Sequence, residues 1–148
     1  MLETKQKGIV TELQCITAFN QLGYHVSIPY GENSRYDFIA DIDGVLIRVQ
    51  VKTSSPIDEN CSAIKFPCRS SRINSKGTIN TRYTKEEIDY FCTYYNGICY
   101  LIPIEETSIE KTLRFIKPKN SQEVKISYAK DYELESQIHQ IKDSVIKH

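Results

Sequence analysis

The sequence lacks most of the features that would reveal a function by themselves. It has no excess of either charge, since 19 Lys and Arg balance 19 Asp and Glu. An anionic partner must therefore be met by a local basic patch. It has no CxxC pair, and its five cysteines (Cys15, Cys61, Cys68, Cys92, Cys99) make an odd count. That pattern argues against a disulfide scaffold and for a reduced, cytoplasmic protein. Only His25, His139 and His148 are present, none at zinc-finger spacing. No apolar run reaches membrane length, so no membrane partner is expected, and no apolar segment follows the lysines of "MLETKQKG" to suggest a secretory signal. Repeats, low-complexity tracts and linkers are missing too. At 148 residues and 40% hydrophobic, the chain reads as a single domain over residues 1–148 with a real core.

The elements that are present alternate in type. Residues 5–22 have helical spacing, with Ile9, Leu13, Ile16 and Phe19 on one arc and Gly23 just past the end. "YHVSI" (24–28) reads as a strand. Asp43-Gly44 is a strong two-residue turn between two further strands. "AIKFPCR" reads as an edge strand because of Pro67, and "SSRINSKG" as a polar loop with a short return at "TINTRY". Thr84 and Glu87 make a capping box for a helix carrying Ile88, Phe91, Cys92 and Tyr95, ended by Asn96-Gly97. "ICYLIPI" is a buried strand, residues 107–116 read as helical, and the tail from Asp131 has Leu134, Ile138, Ile141 and Val145 at amphipathic spacing. The order predicts an α/β sandwich around a central mixed sheet.

The stretch "SRYDFIADIDGVLIRVQVKTSS" carries three polar groups that a plain hairpin does not need. If Asp43-Gly44 is the turn, Ile42 pairs with Val45 and Asp37 lies opposite Gln50. Leu46, Arg48, Gln50 and Lys52 then share a face, so Asp37, Gln50 and Lys52 converge at one end. Glu12 falls between Phe19 and Ile16 on the helical arc, where an acid is costly unless paired or bound to a metal. Oxygen ligands from Glu12, Asp37, the Gln50 amide and the Val51 carbonyl suit Mg²⁺. A neighbouring Lys52 can orient or deprotonate water and stabilise charge on a phosphate. The residues alone also allow a cross-strand ion pair between Asp37 and Lys52, with Gln50 filling a solvated face.

A helical Glu, an Asp at a strand start and an acid-X-Lys on the next strand resemble the PD-(D/E)XK nuclease superfamily. "YD" (Tyr36-Asp37) stands for "PD", and "QVK" (Gln50-Val51-Lys52) for "(D/E)XK". In size and in the glutamine, the chain is similar to the small group I intron-encoded homing endonucleases of that superfamily, as is "RYTKEEIDYF … CYLIPI". The resemblance implies a restriction-endonuclease-like αβββαβ core, a central mixed sheet flanked by helices, plus a C-terminal helix. It implies Glu12, Asp37, Gln50 and Lys52 as catalytic residues, with Glu12, Asp37, Gln50 and Val51 holding Mg²⁺ or, as a substitute, Mn²⁺. No small-molecule cofactor is implied. Gln50 in place of the second acid removes one negative charge and leaves open a degenerate, inactive site.

Between Asn60 and Lys85 there is no acid, while Lys65, Arg69, Arg72, Lys76, Arg82 and Lys85 are all basic. With Ser70 and Ser71 they form a candidate footprint on double-stranded DNA. A solvated hairpin is the plainer alternative. Cutting both strands takes two active sites, so a homo-oligomer, dimer or tetramer, is expected. The competing readings are a restriction enzyme or Holliday junction resolvase of the same fold, a non-catalytic DNA-binding module, and a structural subunit.

Overall fold

A computed structural model describes residues 2–118 and 126–146 of the chain. Helix α1 (Thr4–Gln21) starts at a capping box between Glu3 and Gln6 and stops at Gly23, whose φ of 89° suits a residue without a Cβ. Strand β1 (His25–Ser27) pairs antiparallel with β2 (Phe38–Ile42). Across the Asp43-Gly44 turn, β2 pairs with β3 (Val45–Val51) from Ile42↔Val45 to Phe38↔Val49, the expected register. The chain then makes a long excursion through β4 (Ser55–Pro56), β5 (Ala63–Pro67), β6 (Arg69–Asn74) and β7 (Gly77–Arg82). It returns as β8 (Tyr90–Tyr95), parallel to β3, and turns at Asn96-Gly97 into β9 (Ile98–Pro103). Strand β10 (Glu110–Arg114) and helix α2 (Leu134–Ile146) follow.

The central mixed sheet has the order β1-β2-β3-β8-β9. On one face Cys15 and Phe19 of α1 and Leu134, Ile138 and Ile141 of α2 pack against Phe38, Ala40, Ile42, Ile47, Val49 and Val51. Phe19 meets Phe38 edge to face at 5.6 Å between centroids. The other face is covered by strands rather than by a helix. The sheet β10-β5-β4 brings Ile64, Phe66 and Leu113 onto Phe91, Tyr100 and Ile102. Among the described residues, strands β6 and β7 pair only with each other and form a largely exposed ribbon. Among the described residues, no helix is long and apolar enough to cross a membrane.

The mixed α/β plan, with a helix at each end, is the one expected, but three local expectations are corrected. The segment opened by Thr84 does not become a helix. Glu87 does accept the Thr84 N–H at 2.9 Å, and Ile88 N–H reaches the Thr84 carbonyl, yet the turn ends there. Asp89 is taken by β3: its carboxylate accepts the Arg48 N–H at 2.8 Å and the guanidinium at 3.0 and 3.1 Å. The aromatic, β-favouring "YFCTYY" then continues as a strand. Residues 107–116 hold β10, because antiparallel pairing of Glu110–Arg114 with β5, with Leu113 buried, overrides the helical spacing. The "SSRINSKG" loop is mostly strand β6.

The buried side of α1 is also rotated, by roughly 90° at 100° per residue. Thr11, Cys15 and Phe19 are buried, whereas Ile9 and Leu13 are each 58% exposed. Spacing locates an apolar arc but not which edge of it a sheet will cover.

Candidate active site

The polar end of the hairpin is built where β2 runs out. The Asp37 N–H donates to the Val49 carbonyl at 2.8 Å, and Asp37 Oδ2 accepts the Val51 N–H at 2.8 Å. A side chain thus supplies the hydrogen bond that the next ladder carbonyl would have made. One carboxylate oxygen is held in this way, and Asp37 also lines the adjoining pocket. Glu12, half-buried on α1, lies between Phe19 and Ile16 on the helical wheel and lines the same pocket. The pocket is open, about 400 Å³ in volume, and is lined by Lys5, Glu12, Asp37, Gln50, Val51 and Thr53, among others.

Both carboxyls are held above the ordinary carboxylate range. Burial is the larger cause for Glu12, and the charge of Asp37 adds to it. Burial also raises Asp37, opposed by the Val51 N–H and by the charge of Lys52. Glu12, raised by burial and by the Asp37 charge, and Asp37, raised by burial, would both be stabilised as carboxylates by a cation placed between them. Carboxylates, an amide and a peptide carbonyl are the donors a hard divalent ion prefers.

Gln50 does line the pocket, but its amide donates to the Val51 carbonyl at 3.3 Å. Lys52 is not among the pocket's lining residues. Its ammonium donates to the Arg69 carbonyl at 3.0 Å and lies 5.0 Å from the Tyr83 ring centroid. Burial lowers its pKa; the Asp37 charge works against that shift, while Arg35 adds to it. The structure therefore brings Glu12, Asp37, Gln50 and Val51 together and sets Lys52 beside them, tied to the root of the ribbon.

Several neighbours of the site carry little or no signal in the sequence. Arg35 donates to Glu87 at 2.7 Å, to Ser70 at 2.9 Å and to the Arg82 carbonyl at 3.1 Å, and it stacks 4.0 Å from the Tyr83 centroid. It fastens the ribbon to the loop that carries Asp37. Its position two residues before Asp37, within the hairpin stretch, is the available signal. Thr11 and Thr53 lie 3.3 Å apart beside Glu12, and a threonine pair has no sequence signature at that separation.

The expected DNA contacts all lie on one excursion. Lys65 is exposed on β5, and Arg72, Lys76 and Arg82 are exposed on the ribbon, with Arg69, Ser70 and Ser71 at or near its root. Arg69 sits directly opposite Arg82 in the ribbon register. Like charges so placed repel, which a polyanionic partner would relieve.

A family model described as PD-(D/E)XK endonuclease matches residues 2–135 of the chain. The fold is similar to that of a solved bacterial homing endonuclease, I-Ssp6803I, at a TM-score of 0.77 and 22% identity, over 99% of each chain. Comparison with curated protein sequences finds no match.

Proposed function

Because the chain belongs to the PD-(D/E)XK endonuclease family, we propose that it is a metal-dependent, site-specific endonuclease of the homing type that hydrolyses phosphodiesters in double-stranded DNA. The observation that carries this reading is the meeting of Glu12 and Asp37, both with raised carboxyl pKa, in one open pocket beside the Val51 carbonyl. Glu12, Asp37 Oδ1, the Val51 carbonyl and the Gln50 amide oxygen, once that amide turns over, would hold Mg²⁺, with Mn²⁺ as a substitute. The ion supplies a polarised phosphoryl oxygen and an acidified water.

The chain's own groups do the positioning. Lys52, with its pKa lowered by burial, holds a proton loosely enough to give or take one at the attacking water. Its bond to the Arg69 carbonyl couples that ammonium to the ribbon, so DNA seated on Arg69, Arg72, Lys76 and Arg82 adjoins the reacting end of the hairpin. Lys65, Ser70 and Ser71 extend the same footprint. One chain offers one such pocket, and a double-strand cut requires two, so the working form is a homodimer or tetramer.

The non-catalytic DNA-binding module is the second reading, favoured by the Gln50 amide satisfying the Val51 carbonyl. Incubation of plasmid with Mg²⁺ separates the two readings. With a plasmid library carrying randomised insert sequences, so that the target is represented, wild type should linearise a subset of members and Lys52→Ala should not. A wild type that binds but never cuts, with either metal, supports the module instead.

A further inference from the structure

Three of the five cysteines meet in the core on the α1 side of the central sheet. Cys15 comes from α1, Cys92 from β8 and Cys99 from β9, and their sulfurs all lie within 4.8 Å of one another. Cys92 and Cys99 approach to 3.4 Å. Cys15 and Cys92 are fully buried, and Cys99 is 6% exposed. Cysteine is a common small core residue, but converging sulfurs from three elements form a ligand set. We propose that Cys15, Cys92 and Cys99 bind a soft, thiophilic monovalent cation of the copper(I) kind.

The type of ion follows from the donors. Sulfur donors select soft ions over Mg²⁺ or Ca²⁺. Among the described residues no fourth His, Cys, Asp or Glu joins the group. Tetrahedral Zn²⁺ is therefore left short of a ligand, whereas copper(I) is satisfied by two or three sulfurs. Each sulfur that coordinates as thiolate releases its proton to solvent. Entry is available: Cys99 lines a surface pocket of about 390 Å³ together with Ala18 of α1, Leu22 just past its end and Leu134 of α2.

The site is independent of the nuclease reading, although it shares its framework. Cys15 lies one turn beyond Glu12, and Cys92 is the register partner of Val51.

The test is transfer of copper(I) from its coloured bicinchoninate complex to the full-length reduced protein under anaerobic conditions. Wild type should take one equivalent and melt at a higher temperature once loaded. The double variant Cys61→Ser/Cys68→Ala should do the same. Cys99→Ala should take none, as should Cys15→Ala, which carries the comparison if Cys99→Ala does not fold by circular dichroism. The proposal is overturned if wild type withdraws no copper. It is also overturned if both Cys15→Ala and Cys99→Ala still take a full equivalent, or if uptake follows Cys61 and Cys68 instead.

Discussion

The ammonium of Lys52 donates to the backbone carbonyl of Arg69 at 3.0 Å, joining the end of β3 to the root of the β6–β7 ribbon. A residue proposed to act in the chemistry is thus held by the segment proposed to hold DNA. Lys52→Ala should abolish cleavage and leave DNA affinity within a few-fold. With the lysine pKa lowered by burial, the neutral amine fraction grows with rising pH. Single-turnover cleavage should climb with pH and level off below the pKa of a free lysine. Lys52→Arg, which stays charged, should be slow and show no such rise.

Asp37 makes a structural hydrogen bond as well as facing the pocket. Asp37→Ala removes the acceptor of the Val51 N–H, so it should lose metal-dependent cleavage and also about 1–3 kcal/mol of stability. Asp37→Asn keeps an acceptor and should lose cleavage with little change in melting temperature. Parallel melting and cleavage assays of the two variants distinguish a ligand from a mere ladder partner.

The metal-free protein should lose stability as the pocket acids ionise. Glu12 and Asp37 both have folded pKa values above their ordinary ones, so their protonated forms are favoured in the folded state. That contribution is complete below the ordinary carboxylate range and is lost as pH rises through the raised values. Mg²⁺ should raise the melting temperature at neutral pH and have little effect near pH 3. Equal Mg²⁺ stabilisation at both ends would count against binding between these carboxylates.

Gln50 sets the charge of the site. Gln50→Glu restores a negative charge and should tighten Mg²⁺ binding without DNA, measured by calorimetry, with cleavage kept or raised. Gln50→Leu removes the amide at similar size and should slow cleavage strongly while sparing DNA binding. Wild-type cutting by Gln50→Leu would remove this residue from the site.

The ribbon's repulsion offers a separate check. Arg69 and Arg82 face each other, so Arg69→Gln/Arg72→Gln should leave folding intact. DNA binding should weaken, and the dependence of log affinity on log salt should flatten by roughly 0.9 for each phosphate no longer neutralised. Titrations at three salt concentrations suffice.

Patterns of short range were legible in the sequence, and choices made by tertiary packing were not. Asp43-Gly44 fixed the hairpin register, because that turn allows only one pairing that keeps Ile47, Val49 and Val51 in the core. Glu12 was legible as an acid out of place on an apolar arc. The strand at Tyr90–Tyr95 was not, since Ile88, Phe91, Cys92 and Tyr95 fit a helical period equally well. What decides is Arg48, far away in sequence, which captures Asp89. Arg35 was missed for the same reason: its partners Glu87, Ser70 and Arg82 adjoin it only once the excursion has folded back.

That excursion leaves β3 and returns as β8, and the two strands are immediate neighbours. Its ends therefore lie side by side, and the chain between them can lengthen or shorten at a closure cost that grows only with the logarithm of its length. Among the described residues, the ribbon pairs with no other strand. The central sheet can thus stay unchanged while β6 and β7 vary in sequence beyond the root that Arg35 and Lys52 hold, so new surfaces can be tried without disturbing the carboxylates behind them.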